Sequence, residues 1–139
     1  MIVLDTSGLL AAIDSDQRFH EPAREALDNA GGPLLISPFV LAELDYLLTT
    51  RVGKNAELSL LGEIERGAYR LEPFSAADVG EARRLIERYA NLGLGPADAS
   101  NVVLARRHDT LDILTLDERH FRALSGPGGR PFRLLPVDS

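Results

Sequence analysis

Apolar residues fall along this chain in two kinds of run. The first kind is short and unbroken: Ile2-Val3-Leu4, Leu34-Leu35-Ile36, Ile113-Leu114 and Phe132 to Leu135. Runs of this length suit parallel strands buried on both faces. Tyr69-Arg70-Leu71 is a weaker candidate of the same sort. The second kind is longer, with apolar residues returning every three or four positions, the period of a helix with one packed face. One such helix is expected after Thr6 or Ser7, either of which can cap it, through Leu9, Leu10 and Ile13. A second is expected from about Glu21 to Asn29, stopped by Gly31-Gly32. Ser37-Pro38 is a capping Ser followed by Pro in the first turn. It opens a helix carrying Val40, Leu44 and Leu47 that ends before Gly53. Further helices fit Asn55 to Arg66, a Ser75-capped segment with Val79, Ala82, Leu85, Ile86 and Tyr89 on one face, a segment opened by Gly95-Pro96 with Val102, Val103 and Ala105, and Glu118 to Leu124. The alternation predicts an α/β domain, a mainly parallel sheet between helices. No linker, repeat or low-complexity tract divides the chain, so residues 1–139 are expected to form one domain.

Composition changes this picture in three ways. There is no cysteine, which excludes disulfides, thiolate metal sites and cysteine nucleophiles. No apolar run approaches the ~20 residues needed to span a bilayer. No basic leader precedes Met1-Ile2-Val3-Leu4-Asp5, so neither a signal peptide nor a membrane association is expected, and the cytoplasm is the expected compartment. The formal net charge of −6 argues against a protein that grips long stretches of nucleic acid. All of that charge lies in residues 1–72. The remainder is balanced and holds the pairs Arg83-Arg84 and Arg106-Arg107.

Four acidic residues stand where chemistry would place them. Asp5 and Asp117 each follow a strand. In a parallel sheet both would lie at the carboxyl edge, where open α/β folds bind ligands, whereas Asp112 precedes its strand and belongs at the other edge. Glu43, three residues after Val40 and four before Leu47, is expected on or beside the packed stripe of its helix. Asp45 is expected to face solvent. Asp98, in the first turn after Gly95-Pro96, aligns with Val102 and Ala105. Taken singly, each has an ordinary reading: Asp5 and Asp117 as helix caps, Asp98 as a complement to the helix dipole, Glu43 as the partner of a buried Arg. Together they would repel one another, and a hard divalent cation resolves such repulsion. An all-oxygen donor set suits Mg²⁺ or Mn²⁺ rather than zinc. The histidines His20, His108 and His120 lack the i, i+4 spacing of a zinc helix and are read as surface or packing residues. No nucleophile elbow, phosphate loop or dinucleotide-binding turn is present.

At this point the chain resembles the PIN-domain ribonucleases, specifically the VapC toxins of toxin–antitoxin pairs. The matching segments are Ile2-Val3-Leu4-Asp5-Thr6-Ser7, Ser37-Pro38-Phe39-Val40-Leu41-Ala42-Glu43-Leu44, Asp98-Ala99-Ser100-Asn101-Val102 and Leu114-Thr115-Leu116-Asp117-Glu118-Arg119-His120-Phe121. The resemblance implies a three-layer α/β/α fold. It implies that Asp5, Glu43, Asp98 and Asp117 form a catalytic, metal-binding quartet, and that the hydroxyls of Thr6, Ser7 and Thr115 support it. The implied activity is Mg²⁺- or Mn²⁺-dependent cleavage of structured RNA, tRNA or rRNA, which would inhibit translation. The implied partners are RNA, a VapB-like antitoxin and a second copy of the chain, in a homodimer and a toxin–antitoxin hetero-oligomer.

Two other readings compete. A non-catalytic PIN-like module would have lost one or more of the four acids. A Mg²⁺-dependent phosphatase that begins with a strand ending in Asp would carry a second Asp two positions on, where this chain has Ser7.

Overall fold

Strand β1 (Ile2–Leu4) is fully buried and forms the middle of the molecule. The computed structural model describes residues 1–139, and the other elements follow in the order α1 (Thr6–Ile13), α2 (His20–Asn29), β2 (Leu34–Ile36), α3 (Pro38–Arg51), α4 (Lys54–Glu65), β3 (Arg70–Leu71), α5 (Ala76–Arg88), α6 (Pro96–Arg107), β4 (Asp112–Leu114), α7 (Glu118–Ala123) and β5 (Arg133–Leu135). The strands form one sheet in the order β3-β2-β1-β4-β5, with every neighbouring pair parallel. Leu4 lies opposite Ile36 on one side and Leu114 on the other, so three strands end together at one edge. The chain winds outward from β1 to β3, then crosses back to lay β4 on the other flank of β1. That reversal opens a crevice at the carboxyl edge beside β1 and β4.

Alternating side chains feed two cores. Ile2, Leu4, Ile36 and Leu114 pack with α1 to α4, while Val3, Leu35, Ile113 and Leu134 pack with α5 to α7. The result is three layers, helices on sheet on helices. Each fully buried Leu or Ile contributes about 2–3 kcal/mol of transfer free energy, which is why three residues suffice to make each central strand.

Local chemistry sets the helix ends. The Ser37 hydroxyl accepts a hydrogen bond from the Phe39 N–H at 3.1 Å, with Pro38 in the first position of α3. Ser75 and Asp78 cap α5 reciprocally, Asp78 N–H to Ser75 Oγ at 3.2 Å and Ser75 N–H to Asp78 Oδ2 at 2.8 Å. Helix α1 begins one residue earlier than expected: Asp5, not Thr6 or Ser7, occupies the cap position, and its side chain caps nothing. Gly8 lets α1 approach β4 closely. A β-carbon there would lie 2.4 Å from the Leu114 carbonyl oxygen, closer than any side chain permits.

Three expectations need correction. Tyr69 lies outside β3, whose two residues are both exposed. Val79 is exposed rather than packed, because α5 buries only Ala82 and Leu85 completely. Asp45 is half-buried rather than turned to solvent, while Glu43, beside the packed stripe as expected, is exposed. The packed line of α3 runs through Val40, Leu44 and Leu48, which leaves Glu43 on its flank, while α4 covers the side carrying Asp45 and sets Glu57 and Lys54 beside it.

Candidate active and metal site

Asp5 leaves the end of β1 into the crevice and is 4% exposed. Its Oδ1 accepts from Asn101 Nδ2 at 2.9 Å. Its Oδ2 accepts from Thr115 Oγ1 at 2.7 Å and Ser7 Oγ at 3.1 Å. These donors are all neutral. Burial pushes the Asp5 carboxyl up to about 6, helped by the charge of Asp98 and opposed by the Thr115 and Ser7 hydroxyls and the Thr6 main chain. The hydroxyls are themselves held: Ser7 Oγ accepts from the Leu116 N–H at 2.9 Å and Thr115 Oγ1 from the Asp117 N–H at 2.9 Å. Thr6 differs from the other two hydroxyl residues. Its hydroxyl is buried without a hydrogen-bond partner.

Helix α6 presents Asp98 and, one turn on, Asn101 to the same crevice. A hydroxyl chain locks α6 against the start of α3: Ser37 Oγ lies 2.7 Å from Ser100 Oγ, and Ser100 Oγ donates to the Ala97 carbonyl at 2.7 Å, so Ser37 must donate to Ser100. Asp98 accepts from the Gly95 N–H at 3.2 Å. Burial raises its carboxyl above the ordinary range. The Gly95 N–H and His120 hold it down, and Asp117 and Glu43 push it further up.

Asp117 caps α7 by accepting from the His120 N–H at 3.0 Å, so the capping role expected of a lone Asp is real here. One turn into α7, His120 Nδ1 stands 2.8 Å from Asp117 Oδ2 and 3.3 Å from Asp98 Oδ2. Neither oxygen lies along a hydrogen-bonding direction of the ring, and Nδ1 is buried without a hydrogen-bond partner. Asp98, Asp117 and His120 offer three ligand atoms within 4.8 Å of one another. Asp5 and Glu43 stand outside that trio: the charge of Asp98 raises Asp5, and the charge of Glu43 raises Asp98.

Comparison with known proteins supplies the family. The PIN domain profile matches residues 2–127. The chain is 46% identical to ribonuclease VapC26 of Mycobacterium tuberculosis strain H37Rv over 135 residues, 97% of this chain and 100% of that one. This protein belongs to the PIN-domain family, among the VapC ribonucleases. It is also 31% identical to ribonuclease VapC23 of the same species over 120 residues, covering 84% of this chain and 93% of the relative. Two solved structures share the fold. One is VapC20 of M. tuberculosis, described as a toxin that cleaves the sarcin–ricin loop (TM-score 0.81, 21% identity, 88% of this chain and 95% of that one). The other is FitAcB of Neisseria gonorrhoeae (TM-score 0.62, 23% identity, 87% and 91%).

PIN nucleases as a class depend on divalent cations, and the donors in this PIN domain fit one. Carboxylates crowded so that their charges raise Asp5 and Asp98, with a buried nitrogen unpaired among them, are the arrangement a cation relieves. The phosphatase alternative falls with the family assignment, and Ser7, at the position where that chemistry needs an acid, is committed to Asp5 and Leu116. No helix is long and apolar enough to cross a membrane.

The sequence reading missed two residues. His120 was read as an ordinary packing histidine, yet it sits between two of the acids. Its spacing of three residues after Asp117 on a short helix was the available signal. Asn101 entered only as part of a matching segment. An amide three residues after Asp98, directly before Val102-Val103-Leu104, is a polar group on a buried helix face and needs a partner. The other two histidines keep ordinary roles. His20 Nδ1 bonds the Ala11 carbonyl at 2.8 Å, and His108 ends α6 against Glu72.

Proposed function

We propose that this protein is the toxin of a toxin–antitoxin pair, a cytoplasmic endoribonuclease dependent on Mg²⁺ or Mn²⁺ that cuts structured cellular RNA, rRNA or tRNA, and so stops translation. The observation that carries the proposal is Asp5: a buried carboxylate given only neutral donors, facing an edge where Asp98 and Asp117 crowd together. Such a group is costly to ionise unless a cation arrives from outside. Asp5, Asp98 and Asp117 would hold that cation, with Glu43 at the open rim completing the charge. The bound cation supplies Lewis acidity for in-line hydrolysis of a phosphodiester. The chain's own residues prepare the site. Asn101, Thr115 and Ser7 fix the Asp5 carboxylate, and the Asp117 cap fixes the first turn of α7. The Ser37–Ser100 link sets α6 against α3 and with it Asp98 relative to Glu43. Residues 1–139 act as one catalytic unit on this reading.

Similarity to VapC26 and VapC23 supports RNA as the substrate and a VapB-like antitoxin as the partner, in an assembly built on a toxin homodimer. The shared fold with a sarcin–ricin loop cleaving toxin makes that rRNA element the first substrate to try. The test is cleavage of a sarcin–ricin loop fragment, whole rRNA and tRNA by purified, antitoxin-free protein. Each is assayed with Mg²⁺, Mn²⁺ or EDTA, alongside Asp98→Ala. Cuts at defined sites that need the metal and vanish in Asp98→Ala are expected. Intact RNA in every arm, with no metal binding by calorimetry, would overturn the nuclease reading.

A further inference from the structure

His120 is tied at both ends. Its Nε2 lies 2.9 Å from the Leu92 carbonyl oxygen, in the short 3-10 turn Ala90–Leu92 that precedes α6. A carbonyl can only accept, so Nε2 carries the ring proton. In the neutral ring Nδ1 is then a bare lone pair, and it is this atom that is buried without a hydrogen-bond partner, 2.8 Å from Asp117 Oδ2 and 3.3 Å from Asp98 Oδ2. Neither oxygen lies on the axis of that lone pair, so no hydrogen bond uses it, and the three atoms stand within 4.8 Å of one another, as neighbouring donors around one cation do. The side chain is only 14% exposed, so water offers little relief. A main-chain carbonyl on the far ring nitrogen is also how metal-bound histidines are commonly oriented and kept in the ligating tautomer. A second orphan lies nearby: Asn101 Oδ1 is fully buried and unpartnered, on the amide whose nitrogen holds Asp5.

We propose that His120 Nδ1 is a ligand to the cation held by Asp98 and Asp117, and that it biases the site toward a first-row transition ion over Mg²⁺. Mg²⁺ is satisfied by one or two carboxylates and water and gains little from a nitrogen. Imidazole is a better donor to later divalent ions, so a mixed nitrogen–oxygen set binds them more tightly than an all-oxygen set does. The inference rests on the metal-dependent reading above and adds a ligand and an ion preference to it.

The test uses the full-length, antitoxin-free protein and Mn²⁺ as the probe. Electron spin-echo spectroscopy of the Mn²⁺-loaded wild type should show modulation from one imidazole nitrogen. Titration followed by the free-Mn²⁺ resonance, with Mg²⁺ as competitor, gives both affinities. His120→Gln keeps an N–H for the Leu92 carbonyl but offers nothing at the Nδ1 position. It should lose the nitrogen modulation and weaken Mn²⁺ at least about tenfold while moving Mg²⁺ less than about threefold. His120→Asn places an oxygen near the Nδ1 position and should recover part of the Mn²⁺ affinity without the nitrogen signal. Bound Mn²⁺ with no nitrogen modulation in the wild type would overturn the inference and leave the nuclease reading standing, as would equal weakening of both ions in His120→Gln. No Mn²⁺ binding at all would overturn both.

Discussion

Asp5 and Glu72 are both buried carboxylates, 4% and 6% exposed, and the molecule treats them in opposite ways. Glu72 follows β3 and is met by two guanidinium groups and an imidazole. Arg70 Nε lies 3.0 Å from its Oε2, Arg107 Nη1 3.8 Å from its Oε1, and His108 Nε2 in hydrogen-bond contact with the same oxygen. Arg107 also reaches Asp78 at 2.7 Å, so the cluster ties the end of β3, the first turn of α5 and the end of α6 into one ion network. Asp5 takes part in no ion pair. It has two hydroxyls and an amide, which fix the carboxylate in place and leave its charge uncompensated. On the proposed reading the difference separates a structural acid from one reserved for chemistry. Glu72 has its countercharge built in. Asp5 has only orientation, and on that reading its countercharge comes from solution.

The largest effect should come from taking the charge away from Asp5. Asp5→Asn should reduce RNA cleavage at least a hundredfold, roughly the effect of losing a group that positions charge at a reacting centre. The same change should stabilise the metal-free protein at neutral pH. The sign follows from its raised pKa. The unfolded chain gives up this proton near 3.8 and the folded one near 6, so stability is fully present below 3.8 and falls as pH rises through 6. The two-unit shift sets a ceiling of about 3 kcal/mol on that loss. With rearrangement of the Ser7 and Thr115 hydroxyls discounted, Asp5→Asn in EDTA at about pH 7.5 should melt roughly 5 °C above wild type, read by calorimetry. A mutant that melts lower would mean that the neutral donors, not the missing countercharge, dominate the energetics of Asp5.

Next in size is Asn101→Ala, which removes one of the donors that orient Asp5. It should weaken divalent-cation binding about 10- to 100-fold, the usual cost of losing an orienting partner, as measured by isothermal titration. Unchanged affinity would mean that Thr115 and Ser7 orient Asp5 without it. Glu72→Gln tests the other side of the comparison. It strands Arg107 and His108 beside a neutral amide and should cost about 1–3 kcal/mol in urea melts. RNA cleavage per folded molecule should stay unchanged. If activity falls in step with stability, the two regions are coupled through α6 and the separation drawn above fails. The smallest effect belongs to Ser37→Ala, which removes both the α3 cap and the link to Ser100. About 1 kcal/mol of stability should go. A modest rise in the metal concentration needed for half-maximal cleavage should accompany it, since Asp98 loses its brace against α3.

What the sequence could show depended on how local the deciding physics is. Strands β1, β2 and β4 were legible because residues buried on both faces of a sheet must be apolar: β1 and β2 each show three such residues in a row and β4 two, Ile113 and Leu114. Strand β3 was the weakest reading, for its two residues are exposed and only their neighbours define them as a strand. The placing of Asp5 and Asp117 at one sheet edge follows from each standing directly after a strand. Asp45 was misplaced because the apolar residues of α3 at 40, 41, 44, 47 and 48 form a broad face. Only the packing of α4, which no position within α3 reveals, decides which flank is covered. His120 was undervalued for the same reason: its orientation is set by Leu92, in a segment 28 residues upstream, and its neighbour Asp98 arrives on a third element. Pattern reading finds residues whose role follows from their own segment. It misses those whose role is assigned by contacts between segments.

The strand order also governs when the site can exist during synthesis. Asp5 is among the first residues made, but β4, which pairs with its strand, and the hydroxyl donor Thr115, 110 positions later in the chain, come near the end. Asn101 is 96 positions later. Pairing across such separations forms late, after the loop between has been closed. A chain released before α6 would carry Asp5 and Glu43 alone, with Ser7 the one donor left to Asp5 and with Asp98 and Asp117 missing. The four acids therefore come together only when almost the whole chain has been made.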